Sequence, residues 1–520
     1  MFLNIDEFLT VPPQMPRLST RVRTSSTASN KRPLLVRQQH RNQVGKHWVY
    51  LYGYYCMLLC LASRSSTFTR ALTTTRAPFP RTSSFVTSTY STTRRIASPL
   101  HITMSLQQEQ QQQQEETLVV THEKAKLIPS THSSLSKAGK RLAEGDLVSF
   151  PTETVYGLGC HALNPHAIAK VFAAKERPLT DPLIVHVTDT TAALNLWQAF
   201  ASADDNLEAQ LLTLLTGHFW PGPLTIVAQA NPSVPSTLMA NTGYVACRSP
   251  RHVIARALIA ASGVPIAAPS ANKFGHVSPT KASHVWDDLK GEDVWIVDPD
   301  LDGEDGDQPT QDQGGSVCNV GVESTVAKIE MSSSASGTIT ILRHGAVSAK
   351  DLSNCLTSNV ELQEAFTVQE KMQSTKEDVS HVAPGQTIRH YSPNVLSYMI
   401  SQCRYDGKQA SSSLDSTLTH EERTQLSKAV IIDWGGRLHA LQPHALAYRD
   451  VSPNDSSTEA AASVFETLRW SETVDGAERV YFPEICVEKE DEEEEQEALV
   501  LAVKDRLTRA ASGVVVDTFI

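Results

Sequence analysis

The chain of 520 residues contains no Cys-x-x-Cys pair, and its eight cysteines are scattered. That excludes a disulfide framework and zinc sites of the usual cysteine spacing, and it suits a reducing compartment. Long apolar runs are also missing. The most hydrophobic stretch, Trp48 to Ala62, is about fifteen residues, short of the roughly 20 that span a bilayer. No stable membrane insertion is therefore expected. With a net charge of −11, an all-over basic surface for nucleic acid is excluded. Acidic residues are absent between Glu7 and residue 100, whereas EKEDEEEEQE at 488–497 concentrates them. A like-charge block of that kind is expected to be a solvated loop.

What is present divides the chain. Residues 1 to about 117 are basic and rich in Ser and Thr. That composition resembles an organelle transit peptide, and the competing expectation is a disordered extension. Met104 offers a second start before a Gln-rich spacer. The expected location is cytoplasmic, with a mitochondrial or plastid pool reached through the extension as the alternative. An apolar fraction of 40% and a charged fraction of 20% are ordinary for a globular protein, and the length calls for two domains or more.

From Thr117 to about Val347 strand and helix patterns alternate, which predicts an α/β fold. Pro151 to Val187, PTETVYGLGCHALNPHAIAKVFAAKERPLTDPLIVHV, carries most of the information. It predicts a strand end, a Thr/Gly-rich turn, a helix opened by Asn164-Pro165, and a buried strand carrying His186. Ile168, Val171, Phe172 and Lys175 fall on one helical face, so Lys175 is expected to point inward. Pro178 blocks continuation. Further strands are expected at Thr225–Ala228, Pro265–Ala268, Val294–Asp298, Ser324–Ile329 and Thr338–Leu342. Residues 344 to about 393 show little periodicity apart from a helix near Ala349–Leu356. Beyond them a smaller α/β domain is expected, with strands at Leu396–Ile400, Ala429–Trp434 and Val480–Phe482, and helices at Thr458–Trp470 and Glu497–Ala511.

Several short motifs carry chemistry. Lys175 and Arg177 offer a point charge and a planar fork, a pair suited to polyphosphate or carboxylate. PIAAPSAN, Pro265 to Asn272, follows an apolar strand with small residues that admit a ligand to the backbone, and adds the hydroxyl of Ser270 and the amide of Asn272. Ser278-Pro279-Thr280 reads as a helix entry with hydroxyls near phosphate. GVEST and LRHG bracket an expected hairpin that would turn Ser324 and Arg343 toward one cleft. FWPGPLT gives a rigid entry to a strand, with Trp220 expected in the core.

Together and in this order, PTETVYGLG, AKERP, PLIVHV, FWPGPLT, VACRSP, PIAAPSAN, SPT, GVEST and LRHG resemble the threonylcarbamoyl-AMP synthases, the YrdC-like family. APGQTIRHYSP and the C-terminal αβ pattern resemble its longer members. The resemblance implies a YrdC-like twisted mixed sheet with helices and a concave active-site cleft, plus a smaller Rossmann-like α/β C-terminal domain. Its implied divisions are an extension at 1–117, a catalytic domain at 118–347, a linker over the active site at 348–394 and a C-terminal domain at 395–520. It further implies synthesis of L-threonylcarbamoyladenylate from L-threonine, bicarbonate and ATP with release of pyrophosphate, for threonylcarbamoyladenosine in tRNAs reading ANN codons. Magnesium would accompany ATP.

By the same resemblance, Lys175, Arg177, Ser270 and Asn272 form the nucleotide-site tetrad. Thr152, His186, Arg248 and Ser324 handle threonine, with Arg248 the partner of its carboxylate. Tyr244, Ser278 and Arg343 lie near the nucleotide, and His390 and Tyr391 are the linker's contacts. Implied partners are a downstream tRNA-threonylcarbamoyl transferase complex and, weakly, tRNA or double-stranded RNA. Departures are Glu176 between the two cations, which is expected to point outward, the less typical QGGSVCN before GVEST, and acidic insertions at 300–312 and 488–497 expected outside the site. An RNA-binding module and a non-catalytic scaffold are the competing readings.

Overall fold

The structure, a computed structural model, describes residues 123–200, 206–303, 318–371, 381–383, 390–401, 418–485 and 494–517. The readings made for 1–117, Pro384 to Arg389, and most of the two acidic insertions lie outside these residues. All described residues belong to one compact unit.

The chain runs β1 (Lys126–Pro129), α1 (His132–Ala143), β2 (Leu147–Phe150), β3 (Gly157–His161), α2 (Pro165–Lys175), β4 (Ile184–His186), α3 (Thr190–Leu194) and α4 (Leu207–Phe219). Next come β5 (Leu224–Gln229), β6 (Tyr244–Arg248), α5 (Val253–Ser262), β7 (Ile266–Ala267), α6 (Ala282–Leu289) and β8 (Val294–Asp298). The hairpin β9 (Thr325–Ser333) and β10 (Ser336–Arg343) leads to α7 (Ala349–Leu356), α8 (Val360–Ala365) and β11 (Phe366–Glu370). These strands form one mixed sheet in the order β1-β8-β2-β3-β7-β4-β6-β5-β9-β10-β11.

Local chemistry explains the segment that carries most of the site. Asn164 caps α2 by accepting from the His166 amide at 3.0 Å, and Pro165 supplies the first helical position. The helix stops because Glu176 takes a left-handed φ of 55° and Pro178 follows. Ile168, Val171, Phe172 and Lys175 are all buried, as the period predicts. Outside this face the Glu176 side chain is 76% exposed and pairs with Lys273.

GLGCH, read from sequence as part of a turn, is instead the interior strand β3 between β2 and β7. Its glycines are packing requirements: a Cβ at Gly159 would stand 2.8 Å from the Phe150 ring. Glycine weakens the strand signal in sequence where close packing demands it in space. A second difference concerns residues 349–370, expected within the linker beyond their first helix. They form α7, α8 and β11, and β11 pairs in parallel with β10. Its sequence, FTVQE, has only its first residue buried, so an edge strand of this kind leaves no clear alternation to read.

The second sheet is parallel and five-stranded, ordered β14-β13-β15-β12-β16. Its strands are β12 (Leu396–Ile400), β13 (Ala429–Asp433), β14 (Ala447–Asp450), β15 (Arg479–Pro483) and β16 (Val515–Val516), with α9 (His420–Leu426), α10 (Ser457–Glu472) and α11 (Glu494–Ala510). Its three expected strands are all present, within a residue at either end; β14, β16 and α9 were not foreseen. The two sheets share a core. Val155, Val277 and Val322 from the first side pack with Ala460, Ala461, Val464, Phe465 and Leu468 of α10 and Val503 and Leu507 of α11. Contact is closest at Gly321, with a φ of 75°, where a Cβ would strike the Ala461 carbonyl and the Ala462 backbone. Gly321→Ala is therefore expected to force α10 off this surface and lower the melting temperature by several degrees. Thermal unfolding of parent and variant measures it.

Candidate active site

The carboxyl ends of β4, β6 and β10, the loops after β2 and β7, and the segment before β9 converge on one small cavity. It is lined by Thr152, Thr154, Arg177, His186, Arg248, Ser270, Glu323, Ser324, Arg343, His390 and Tyr391, among others. Nine of the thirteen residues singled out from sequence are in this wall.

β4 and β6 are parallel neighbours, and the register His186↔Arg248 puts those side chains together at their ends. Burial, reinforced by the Arg248 charge, pushes the His186 imidazole down to about 3, so it is neutral near pH 7. His186 Nδ1 has no hydrogen-bond partner, which leaves it available to a ligand. Arg248 donates to Gly222 O (3.2 Å), Thr154 Oγ1 (3.0 Å) and Glu153 Oε1 (2.6 Å). Burial penalises the Glu153 carboxylate, but Arg248 outweighs it and holds its pKa below the usual range. Thr152 shapes the same turn: its hydroxyl donates to Val155 O at 2.7 Å and accepts the Val155 amide at 3.2 Å.

On the other side, Arg177 is fixed by Asp181 O (3.0 Å), Pro182 O (2.8 Å) and the Asp181 carboxylate (2.9 Å). Arg343 donates to Ser324 O at 3.1 and 3.0 Å and to Ser324 Oγ at 3.2 Å. Burial lowers the pKa of both guanidinia. The expected hairpin brings Ser324 and Arg343 together. Trp220 is core, its indole N–H bonded to Leu224 O at 2.8 Å.

Four sequence-selected residues are not in the wall. Lys175 lies directly behind it, donating its ammonium protons to the carbonyls of Ser270 and Asn272. Burial, then Arg177, lowers its pKa well below the lysine range. Asn272 spends its amide donors on Lys273 O and His276 O, both at 2.8 Å. Its Oδ1 is buried without a partner. Lys175 and Asn272 thus brace the loop that presents Ser270. Ser278 donates to Glu323 Oε1 at 2.6 Å from behind the wall. Tyr244 does not reach the cavity. It begins β6 whereas Arg248 ends it, its hydroxyl meets Glu330 at 3.4 Å, and Lys328 covers its ring at 4.1 Å. The four residue steps between them, about 13 Å of strand, account for that separation.

Glu153, Thr154, Asp181 and Glu323 were not singled out from sequence. The available signal was a carboxylate inside otherwise apolar or hydroxyl-rich motifs, PTET and GVEST. The C-terminal sheet offers no competing anion cradle at its glycine turn, because the Gly435, Gly436 and Ser452 amides already donate to Asp450 at 3.1, 2.8 and 2.9 Å. Among the described residues no cluster of three His, Cys, Asp or Glu could hold a metal, and no helix is long and apolar enough to cross a membrane.

A charged clasp ties the braced loop to the second sheet. His276 Nδ1 meets Asp288 at 2.9 Å, and Nε2 meets Glu472 of α10 at 3.0 Å. Arg469 joins Asp288 at 3.1 Å, and the Asn394 amide donates to Glu472 at 2.6 Å. Burial would lower the His276 pKa, but the two carboxylates outweigh it and raise it to about 9. The folded state therefore binds a proton that the unfolded state, near pH 6.5, gives up first. Its contribution is complete below about pH 6.5 and is lost as pH rises toward about 9. Melting temperature should fall across that interval by a few degrees more in the parent than in His276→Gln. Thermal melts at intervals of pH test it.

Fold and cavity define an α/β enzyme with a buried site lined by three arginines. A family profile described as "Telomere recombination", of the Sua5, YciO and YrdC proteins, matches residues 140–310, and "Threonylcarbamoyl-AMP synthase, C-terminal domain" matches 347–512. The threonylcarbamoyl-AMP synthase of Bacillus subtilis is 33% identical over 320 residues, covering 61% of this chain and 82% of that protein. That of Pyrococcus abyssi is 36% identical over 253 residues, covering 49% and 64%. The solved structure of P. abyssi Sua5 complexed with L-threonine superposes with a TM-score of 0.57 at 28% identity, covering 75% of this chain and 98% of that one. The chain belongs to the threonylcarbamoyl-AMP synthase family, enzymes of nucleotidyltransferase type.

Proposed function

We propose that this chain forms L-threonylcarbamoyladenylate from L-threonine, bicarbonate and ATP, releasing pyrophosphate, and supplies tRNA threonylcarbamoyladenosine at ANN-reading tRNAs. The observation that carries this reading is the convergence of Arg177, Arg248 and Arg343 with a neutral His186 and the hydroxyls of Thr152, Ser270 and Ser324 in one cavity. A relative solved with L-threonine supports the amino-acid half.

In this reading Arg248, steadied by Glu153 and Thr154, turns its remaining donors to the threonine carboxylate, a fork-to-carboxylate match. Thr152, His186 and Ser324 surround the rest of the amino acid. The neutral amine attacks carbon dioxide with loss of a proton, or bicarbonate with loss of water, to give a carbamate; a carbamate oxygen then attacks the α-phosphorus of ATP as pyrophosphate leaves. Charge then grows on phosphate oxygens, and the fixed guanidinia of Arg177 and Arg343 stabilise it without rearrangement. Lys175 and Asn272 act by holding Ser270 in place. Magnesium would ride on the phosphates and water, as suits a wall without a carboxylate cage. The domain roles follow: catalysis in 118–347, a cover in the linker, and support from 395–520. Compartment, weak RNA binding and hand-over to a transferase complex extend the same reading.

The cover is part of the chemistry. The enclosed space is about 40 Å3, far below the roughly 300–1,000 Å3 of ligand sites. His390 and Tyr391 close it, with their rings 4.1 Å apart and Tyr391 5.3 Å from Phe465 of α10. Tyr391 takes a φ of 60° to do so. Substrates enter when this strap lifts, and its return shields the labile carbamate from water.

The full chain, given ATP, magnesium, bicarbonate and L-threonine, should release pyrophosphate only with threonine present. Arg248→Ala should raise the KM for threonine about a hundredfold, the scale of a lost bidentate charged pair. Pyrophosphate release independent of threonine would defeat the reading. Tyr391→Ala should bind an ATP analogue within about twofold of the parent yet yield several-fold less intact adenylate per pyrophosphate. Product chromatography against pyrophosphate counts measures that ratio; an unchanged ratio removes the cover's protective role.

A further inference from the structure

Arg506 belongs to α11 on the second sheet's side, yet its guanidinium ends behind the cavity wall, with none of its side chain exposed. Its Nε donates to Glu323 Oε2 at 3.0 Å, and Nη2 stands 3.0 Å from the same oxygen. Nη1 donates to His344 O at 2.7 Å and to Asp505 at 3.2 Å. The Tyr391 ring centroid lies 5.5 Å away. One side chain therefore touches the residue before Ser324, the residue after Arg343, and the strap.

Glu323 is the carboxylate in a wall that also holds Arg177, Arg248 and Arg343. It has a second cation beside it, since Arg343 shares the lining and is bonded to the next residue, Ser324. In the structure Arg506 takes one carboxylate oxygen and Ser278 the other. Arg343 accordingly meets no carboxylate among the described residues and bonds only to Ser324.

We infer that Arg506 is a positioning residue for the nucleotide half of the cavity, supplied by the C-terminal part of the chain. It engages Glu323 so that this carboxylate neither pairs with Arg343 nor faces substrate phosphates as a bare charge. The inference rests on the ATP-dependent reaction proposed above. Without Arg506, a buried and uncompensated carboxylate would be drawn to another guanidinium of the wall, and a fork-to-carboxylate pair with Arg343, which holds the next residue, would withdraw a phosphate ligand. Lysine cannot substitute, because one ammonium does not reproduce the planar fork that meets Glu323 and the His344 carbonyl in separate directions.

The test uses the full chain and steady-state pyrophosphate release with ATP and threonine varied separately. Arg506→Met should raise the KM for ATP about tenfold or more and that for threonine less than about threefold, a loss of about one charge-assisted contact on one substrate. Arg506→Lys should remain impaired for ATP. The double variant Arg506→Met with Glu323→Gln should recover a KM for ATP within about threefold of the parent, because removing both charges leaves neither unpaired. A purely structural arginine predicts the opposite, a double variant at least as impaired as the single. An unchanged KM for ATP in Arg506→Met, or no recovery in the double variant, overturns the inference. Should Arg506→Met fail to fold, the KM of the double variant decides alone. A parent chain without threonine-dependent pyrophosphate would instead sink the proposed reaction. Calorimetric binding of a non-hydrolysable ATP analogue would then still rank the three proteins.

Discussion

Burying positive charge is the constraint on which this structure depends. Lys175, Arg177, Arg248, Arg343 and Arg506 are all within a tenth of full burial, and each must be matched by carbonyls or carboxylates to be tolerated. Arg248 is matched by Glu153 and Thr154, Arg177 by Asp181, Arg506 by Glu323, and Lys175 by two loop carbonyls. Removing one partner of such a pair costs on the order of 3–5 kcal/mol, because a charge is left behind. Partners of this kind fix the guanidinium groups of the wall without any ligand, and fixed charge is the pre-organisation that phosphoryl chemistry uses.

The C-terminal part takes its meaning from the same constraint. Its five-stranded sheet has a Rossmann-like look, but the glycine turn after β13 is filled by its own Asp450. The contribution comes from α10 and α11. Phe465 backs the strap, Glu472 completes the His276 clasp, and Arg506 reaches Glu323. The cavity wall and the C-terminal part therefore share one core, and packing and ion pairs cross the boundary between them in sequence.

Much of this was legible before folding was considered. The inward face of α2, its cap at Asn164, the outward Glu176, the β9–β10 hairpin and three strands of the second sheet follow from short-range rules, since each depends on residues near one another along the chain. β3 was missed because glycine there serves the Phe150 ring rather than strand propensity. β11 was missed because an edge strand with one buried residue has no alternation. Tyr244 directly precedes the motif that holds Arg248 but does not share its location, since the strand carries its ends well over ten ångströms apart.

Family, fold class and most wall residues were determined by the sequence itself, because those signals are carried by residue type and order. Tertiary structure alone decided which charges face each other. It set Lys175 behind the wall on the carbonyls of Ser270 and Asn272, gave Arg248 a carboxylate partner in Glu153, and brought Arg506 from 183 residues away to Glu323. Pairing of buried charges depends on distance and desolvation, and neither is a property of neighbours along the chain.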